Sequence, residues 1–88
     1  MKIVFWPTAW DDYLFWHKAD VRMFEKLNQL VHECRRDPFR GTGKPEPLKD
    51  NMRGWWSRRI DREHRLVYRV SGSGDAQALE IAQCRFHY

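Results

Sequence analysis

Between Arg36 and Gly54 the chain carries Pro38, Gly41, Gly43, Pro45 and Pro47. Proline lacks the N–H that a helix interior or inner strand must donate, and glycine loses the most freedom on being ordered. No long regular element can cross this stretch, and it divides the 88-residue chain into halves with different apolar patterns. Helical spacing dominates before it and strand-like alternation after it. With no internal repeat and no second hydrophobic block, residues 1–88 read as one small domain of the α+β class. The expected architecture is a twisted antiparallel sheet with two N-terminal helices packed on one face, in the order βααβββ.

Residues 2–6, β-branched and aromatic, read as a first strand that ends at Pro7. Thr8 is a candidate N-cap for a helix running to about Lys18. Trp10, Tyr13, Leu14 and His17 share one face of that helix by spacing. Asp20 can cap a second helix over residues 21–36, whose apolar stripe is Phe24, Leu27, Leu30, Val31 and Cys34. Arg35 and Arg36 suit its negative end, and Asp37-Pro38 stops it. The short joint predicts an antiparallel helix pair lying on the sheet.

Three strands follow, at residues 55–60, 64–71 and 76–86, joined by short links that make them antiparallel neighbours. Alternation places Leu66, Tyr68 and Val70 on the helix-covered face and Arg65, Val67 and Arg69 on the open one. In the last strand Leu79, Ile81 and Gln83 alternate with Glu80, Ala82 and Cys84.

The positive excess lies in the middle third of the chain. Residues 1–34 hold four basic and five acidic side chains, residues 35–65 ten and five, and residues 66–88 two of each. Eleven of the sixteen cations are arginine, which favours bidentate phosphate contact. Lys44, Lys49, Arg53, Arg58 and Arg59 are the candidate nucleic-acid contacts of this basic third, with an ordinary solvated basic surface as the alternative. Pro45 and Pro47 flank Glu46 and stiffen the segment that carries its carboxylate, while Leu48 and Met52 are expected to pin it to the core. Cys34 and Cys84 lack CxxC or histidine spacing and read as reduced, buried thiols, pointing to the cytoplasm. No signal peptide is visible, no apolar run nears the ~20 residues of a membrane span, and no histidine or carboxylate spacing calls for a metal or other cofactor.

Cleaving RNA without a metal needs a base for the 2′-hydroxyl, cations for the phosphorane and an acid for the departing 5′ oxygen. Glu46, Arg65 and His87 are the residue types for those roles, although nearly every chain of this length has a Glu, an Arg and a His.

WDDYLFW at 10–16, RDPFRGTGKPEPL at 36–48, WSRRI at 56–60, EHRLVYRV at 63–70 and CRFHY at 84–88 together resemble the YoeB toxins, within the RelE superfamily of bacterial toxin–antitoxin systems. The resemblance runs in order along essentially the whole chain. It implies ribosome-dependent endonucleolytic cleavage of mRNA in the A site. By matched position, Glu46 is the implied general base, Arg65 the transition-state arginine, His87 the general acid and Tyr88 a substrate-orienting residue. Lys49 and Arg59 match positions on the mRNA and ribosomal-RNA surface. The implied partners are a YefM-like antitoxin, the 70S ribosome with its mRNA, and operator DNA only through the antitoxin complex; a homodimer is a further possibility that no sequence feature decides. Phe86 stands where the family often has tyrosine, and the turn from Gly72 onward is longer than usual. The competing readings are a non-catalytic nucleic-acid-binding module, and a silent toxin acting only as an antitoxin's co-repressor. A binder has no need of Glu46 and His87 together.

Overall fold

The computed structural model describes residues 1–87. Strand β1 (Lys2–Phe5) leads into helix α1 (Pro7–Ala19), then helix α2 (Val21–Arg36). Four strands follow: β2 (Glu46–Pro47), β3 (Trp56–Arg59), β4 (Arg65–Ser71) and β5 (Ala78–Gln83). Single 3-10 turns occupy Asp50–Met52 and Gly74–Ala76. The sheet order is β1-β5-β4-β3-β2.

The α+β class and the helix pair are as the sequence predicts, and the sheet is mixed. β2 to β5 are antiparallel neighbours, while β1 lies parallel to β5, with Ile3 opposite Leu79. Short links dictate antiparallel pairing only for strands they join; β1 pairs with the strand most distant from it in sequence. β2 is a further strand, cut from the proline-rich stretch. It is an edge strand, where a proline such as Pro47 is tolerated.

Asp20 is a hinge of one residue. Its N–H bonds the Trp16 carbonyl to close α1, and its side chain accepts from the Met23 N–H at 3.2 Å to open α2. α2 begins and ends where its caps predict, and Leu27, Leu30, Val31 and Cys34 are all buried. Each such leucine contributes about 1.5–3 kcal/mol by leaving water.

α1 departs from expectation twice. It starts on Pro7 at its first turn, with Trp6 rather than Thr8 at the cap and no side-chain cap bond. Its buried face is Ala9, Asp12 and Trp16, not Trp10, Tyr13, Leu14 and His17; Trp10 and Leu14 are 47% and 43% exposed. A buried carboxylate in the inner stripe disguised the true face. Outside it, Trp10 and Tyr13 stack, and Phe5 and Phe24 extend the aromatic row.

The main core lies between the helices and the sheet, with Ile60, Leu66, Tyr68, Leu79, Ile81 and Cys84 supplied from the sheet side. On the open face a smaller cluster joins Leu48, Trp55 and Val67 with Met52 and Ala82. The expected faces of β4 hold. In β5 a bulge opposite the Val67/Tyr68 step pairs Tyr68 with Ile81 but Val67 with Gln83. The extra residue moves Gln83 to the open face and returns Cys84 to the helix side, reversing the positions expected from strict alternation. Among the described residues no helix is long and apolar enough to cross a membrane.

Candidate functional site

Sheet register gathers the expected groups on the open face. Glu46 pairs with Ser57, and Ser57 with Val67, so these three share the face that carries Arg65; Arg59 pairs with Arg65 directly. With strands ~4.8 Å apart and ~3.4 Å of rise per residue, Glu46 and Arg65 have Cα atoms roughly 12 Å apart. That gap suits two long side chains closing on one phosphodiester from either side.

Arg65 is 9% exposed, and its Nη1 donates to the carbonyls of Asp61 (3.2 Å) and His64 (3.3 Å). The turn making those carbonyls is itself held by Asp61, whose Oδ1 accepts from the N–H groups of Glu63 and His64. Burial opposes the charged Asp61 carboxylate, but the two amides outweigh it and hold its pKa below the usual range. The sequence forms this turn because an aspartate two and three residues before free amides closes an Asx-type turn.

The end of β5 runs alongside. The Arg65 N–H donates to the Phe86 carbonyl at 3.0 Å, and the Phe86 N–H donates to His64 Nδ1 at 2.7 Å. His87, exposed, is the next residue in the chain. Thus the tail carrying the expected acid is fastened beside the expected arginine. Tyr88 lies outside the described residues.

Two residues before Phe86, α1 grips Cys84. Asp12 Oδ2 accepts from the Cys84 N–H at 3.0 Å, and Trp16 Nε1 donates to the Cys84 carbonyl at 2.8 Å. The Arg85 guanidinium lies 3.4 Å over the Phe15 ring. Burial pushes the Asp12 carboxyl above its ordinary value, against the pull of the Cys84 amide. Asp12, Trp16 and His64 are therefore residues of the site that sequence reasoning missed. The one available signal was Asp12, a charge set three residues after Ala9 and four before Trp16, on a helix that needs a face toward the core.

The basic surface is smaller than expected. Lys44, Lys49, Arg53 and Arg59 are exposed. Arg58 is fully buried, and the expectation that it contacts nucleic acid is corrected. Its guanidinium makes four hydrogen bonds, from Nε to the Tyr68 hydroxyl, from Nη1 to the Thr42 carbonyl, and from Nη2 to the carbonyls of Asp37 and Arg40 at 2.6 and 2.7 Å, and Nη1 also lies 3.5 Å from Glu33 as an ion pair. Strand parity could have warned of this, because Arg58 pairs with Leu66 of the core face. The Gly43 carbonyl in turn accepts from the Arg59 N–H at 2.7 Å, so the loop before Glu46 is tied to β3.

Lys44 and Arg59 line a cleft with Lys26 and Arg62, and Lys49 lines a second groove with Leu48, Met52 and Gln83 on the open face. Glu46 lies in the sheet between these basic positions. The two thiols contribute no nucleophile: burial pushes Cys34 up to about 11 and Cys84 higher. No cluster of metal-binding side chains occurs among the described residues.

The profile of the YoeB-like toxin of bacterial type II toxin–antitoxin systems matches residues 5–88. Toxin YoeB of Escherichia coli K12 is 52% identical over 88 residues, covering all of both chains. A solved YoeB/ParE toxin from Agrobacterium tumefaciens superposes with a TM-score of 0.96 at 61% identity, again over both full chains. The YoeB chain in a heterotetrameric YoeB–YefM toxin–antitoxin complex from Staphylococcus aureus superposes with a TM-score of 0.86 at 43% identity, covering 100% of this chain and 98% of that one.

Proposed function

The chain belongs to the YoeB-like toxins of bacterial type II toxin–antitoxin systems, and from that premise we propose that it is a metal-independent endoribonuclease cutting mRNA in the ribosomal A site. The observation that carries this reading is the bond from the Arg65 N–H to the Phe86 carbonyl, which sets the residue before His87 beside Arg65 on the face that also carries Glu46.

In this reading Glu46 takes the proton from a ribose 2′-hydroxyl, and the oxygen attacks the adjacent phosphorus. A bond forms from O2′ to phosphorus, and the bond from phosphorus to O5′ breaks. Arg65, oriented by the Asp61 and His64 carbonyls, neutralises the pentavalent phosphorane. His87 gives its proton to O5′. The products are a 2′,3′-cyclic phosphate and a 5′-hydroxyl, and Tyr88 steadies the substrate. Exposed Lys44, Lys49, Arg53 and Arg59 hold the RNA backbone on either side. So sparse a site depends on a larger partner to align the attacking oxygen, which is the role assigned to the 70S ribosome. A YefM-like antitoxin is the proposed inhibitor, its disordered segment folding over the basic face as it binds. Operator DNA is reached only through that complex.

The test compares purified protein on mRNA in programmed ribosomes and on the same mRNA naked. Cleavage is expected only with ribosomes, leaving cyclic phosphate ends, and Arg65→Ala should slow the bound chemical step by ~10²–10³-fold. Equal rates on both substrates would overturn ribosome dependence. Absence of any cleavage, with operator binding beside an antitoxin retained, would favour the silent co-repressor.

A further inference from the structure

Phe86 has φ 64°, in the left-handed region that costs a non-glycine residue roughly 1–2 kcal/mol. Such a conformation persists only where surroundings hold it. Here the N–H and the carbonyl of Phe86 are both tied, to His64 Nδ1 and to the Arg65 N–H. These bonds fix the peptide planes on either side of Phe86, so the direction in which the chain continues to His87 is set at this residue.

The acceptor on His64 is itself held. Its own N–H bonds Asp61 Oδ1 at 2.8 Å, its side chain is 12% exposed, and the Trp16 ring meets the imidazole edge-on at 4.8 Å between centroids. Because Nδ1 accepts, the imidazole is neutral with its proton on Nε2, which points toward Glu63 Oε1 at 3.8 Å. The same residue's carbonyl accepts from the Arg65 guanidinium. One turn therefore faces two ways, holding the arginine through its carbonyls and the tail through its imidazole.

We propose that His64 is a positioning residue for the reaction: its unprotonated Nδ1 sets the C-terminal segment in register with Arg65 and so aims His87. The inference rests on the endonuclease reading above. It assigns His64 no contact with substrate; the imidazole acts through Phe86.

Side-chain chemistry supplies the discriminating variants. Asparagine carries an acceptor the same number of bonds from the backbone as Nδ1, whereas glutamine places it one bond farther, where Nε2 stands. Leucine offers none. Circular dichroism and urea unfolding first establish which variants fold. Two readouts follow: the scalar coupling across the hydrogen bond between the Phe86 amide nitrogen and His64 Nδ1 in labelled protein, and single-turnover cleavage on programmed ribosomes.

The coupling is expected in the wild type. His64→Asn should cleave close to the wild-type rate, while His64→Gln and His64→Leu should fall by ~10²-fold with ribosome binding unchanged, the scale of a small misplacement of a catalytic group. If His64→Leu does not fold, the asparagine and glutamine pair carries the test. Equal rates for asparagine and glutamine, or a missing coupling in the wild type, would overturn the inference while leaving the endonuclease reading intact. A wild type that cleaves nothing would overturn that reading, and the role given to His64 with it.

Discussion

Two segments without regular structure lead to the groups expected to act. Residues 37–44 lead into Glu46, and residues 84–87 carry the tail to His87. The first is wrapped around one buried cation, Arg58, whose guanidinium binds three of the loop's carbonyls. The second is held by three separate side chains: the Trp16 indole and the Asp12 carboxylate on Cys84, and the His64 imidazole on Phe86. A buried guanidinium stays charged at any pH the protein meets, and removing it strands several carbonyls at once. The tail's fasteners each hold one bond and can fail one at a time. The loop before Glu46 is thus wrapped into the folding core, whereas the tail beyond Cys84, itself a core residue, rests on single bonds.

The largest effect should come from breaking the loop's anchor. Arg58→Met is expected to lower unfolding free energy in urea by about 3–5 kcal/mol, the scale of several loop carbonyls left without their donor at ~1–3 kcal/mol each. Cleavage should fall with it as Glu46 loses its support. A loss below about 1 kcal/mol would mean the loop holds itself and the contrast with the tail is false.

Deleting His87 and Tyr88 should do the opposite. The urea midpoint should move by less than about 0.5 kcal/mol equivalent, while single-turnover cleavage drops by ~10²–10⁴-fold for loss of a general acid. A chain ending at Phe86 that still cuts at full rate would remove His87 from the mechanism.

A finer probe of the loop is Gly41, at φ 121°. A Cβ there would meet Glu33 Oε1 at 2.6 Å and Arg58 Nη1 at 3.0 Å. Gly41→Ala should therefore cost about 1–3 kcal/mol by thermal or urea unfolding, with nothing comparable from exposed positions in the tail. A neutral substitution would show that Glu33 and Arg58 yield easily.

The smallest effects separate the two segments by sign. Glu33 accepts from the Thr42 N–H of the loop, which lowers its pKa from 4.5. The folded carboxylate binds its proton more weakly than the unfolded one, so its stabilisation is complete above 4.5 and lost as pH falls through the lowered value. Asp12, at the tail, has its pKa raised from 3.8 by burial. The folded form binds its proton more tightly, so its contribution is best below 3.8 and declines as pH rises through the raised value. Glu33→Gln should flatten the acid side of the stability profile, and Asp12→Asn, which keeps an acceptor for the Cys84 N–H, should remove a decline on the rising side. Stability profiles across the carboxylate range that shift the same way in both variants would contradict this division.

The sequence by itself determined the elements and their punctuation. Asp20 and Asp37 bracket α2 at its true ends, the prolines and glycines mark out the loop, and alternation assigns the faces of β4. Those rules act between residues a few positions apart, where local sterics and periodicity decide. The placement of Glu46 and Arg65 on one face also follows from alternation, once the pairing of β2, β3 and β4 is given. Tertiary structure alone decided the rest. It paired β1 in parallel with β5, inserted the bulge that turned Cys84 inward, and drew Arg58 out of solvent into the loop's carbonyls. It also brought His64 to Phe86, 22 residues later in the chain. Apart from the inward parity of Arg58, these depend on which distant group is left with an unpaired donor or acceptor after the core has packed, and no local pattern carries that information.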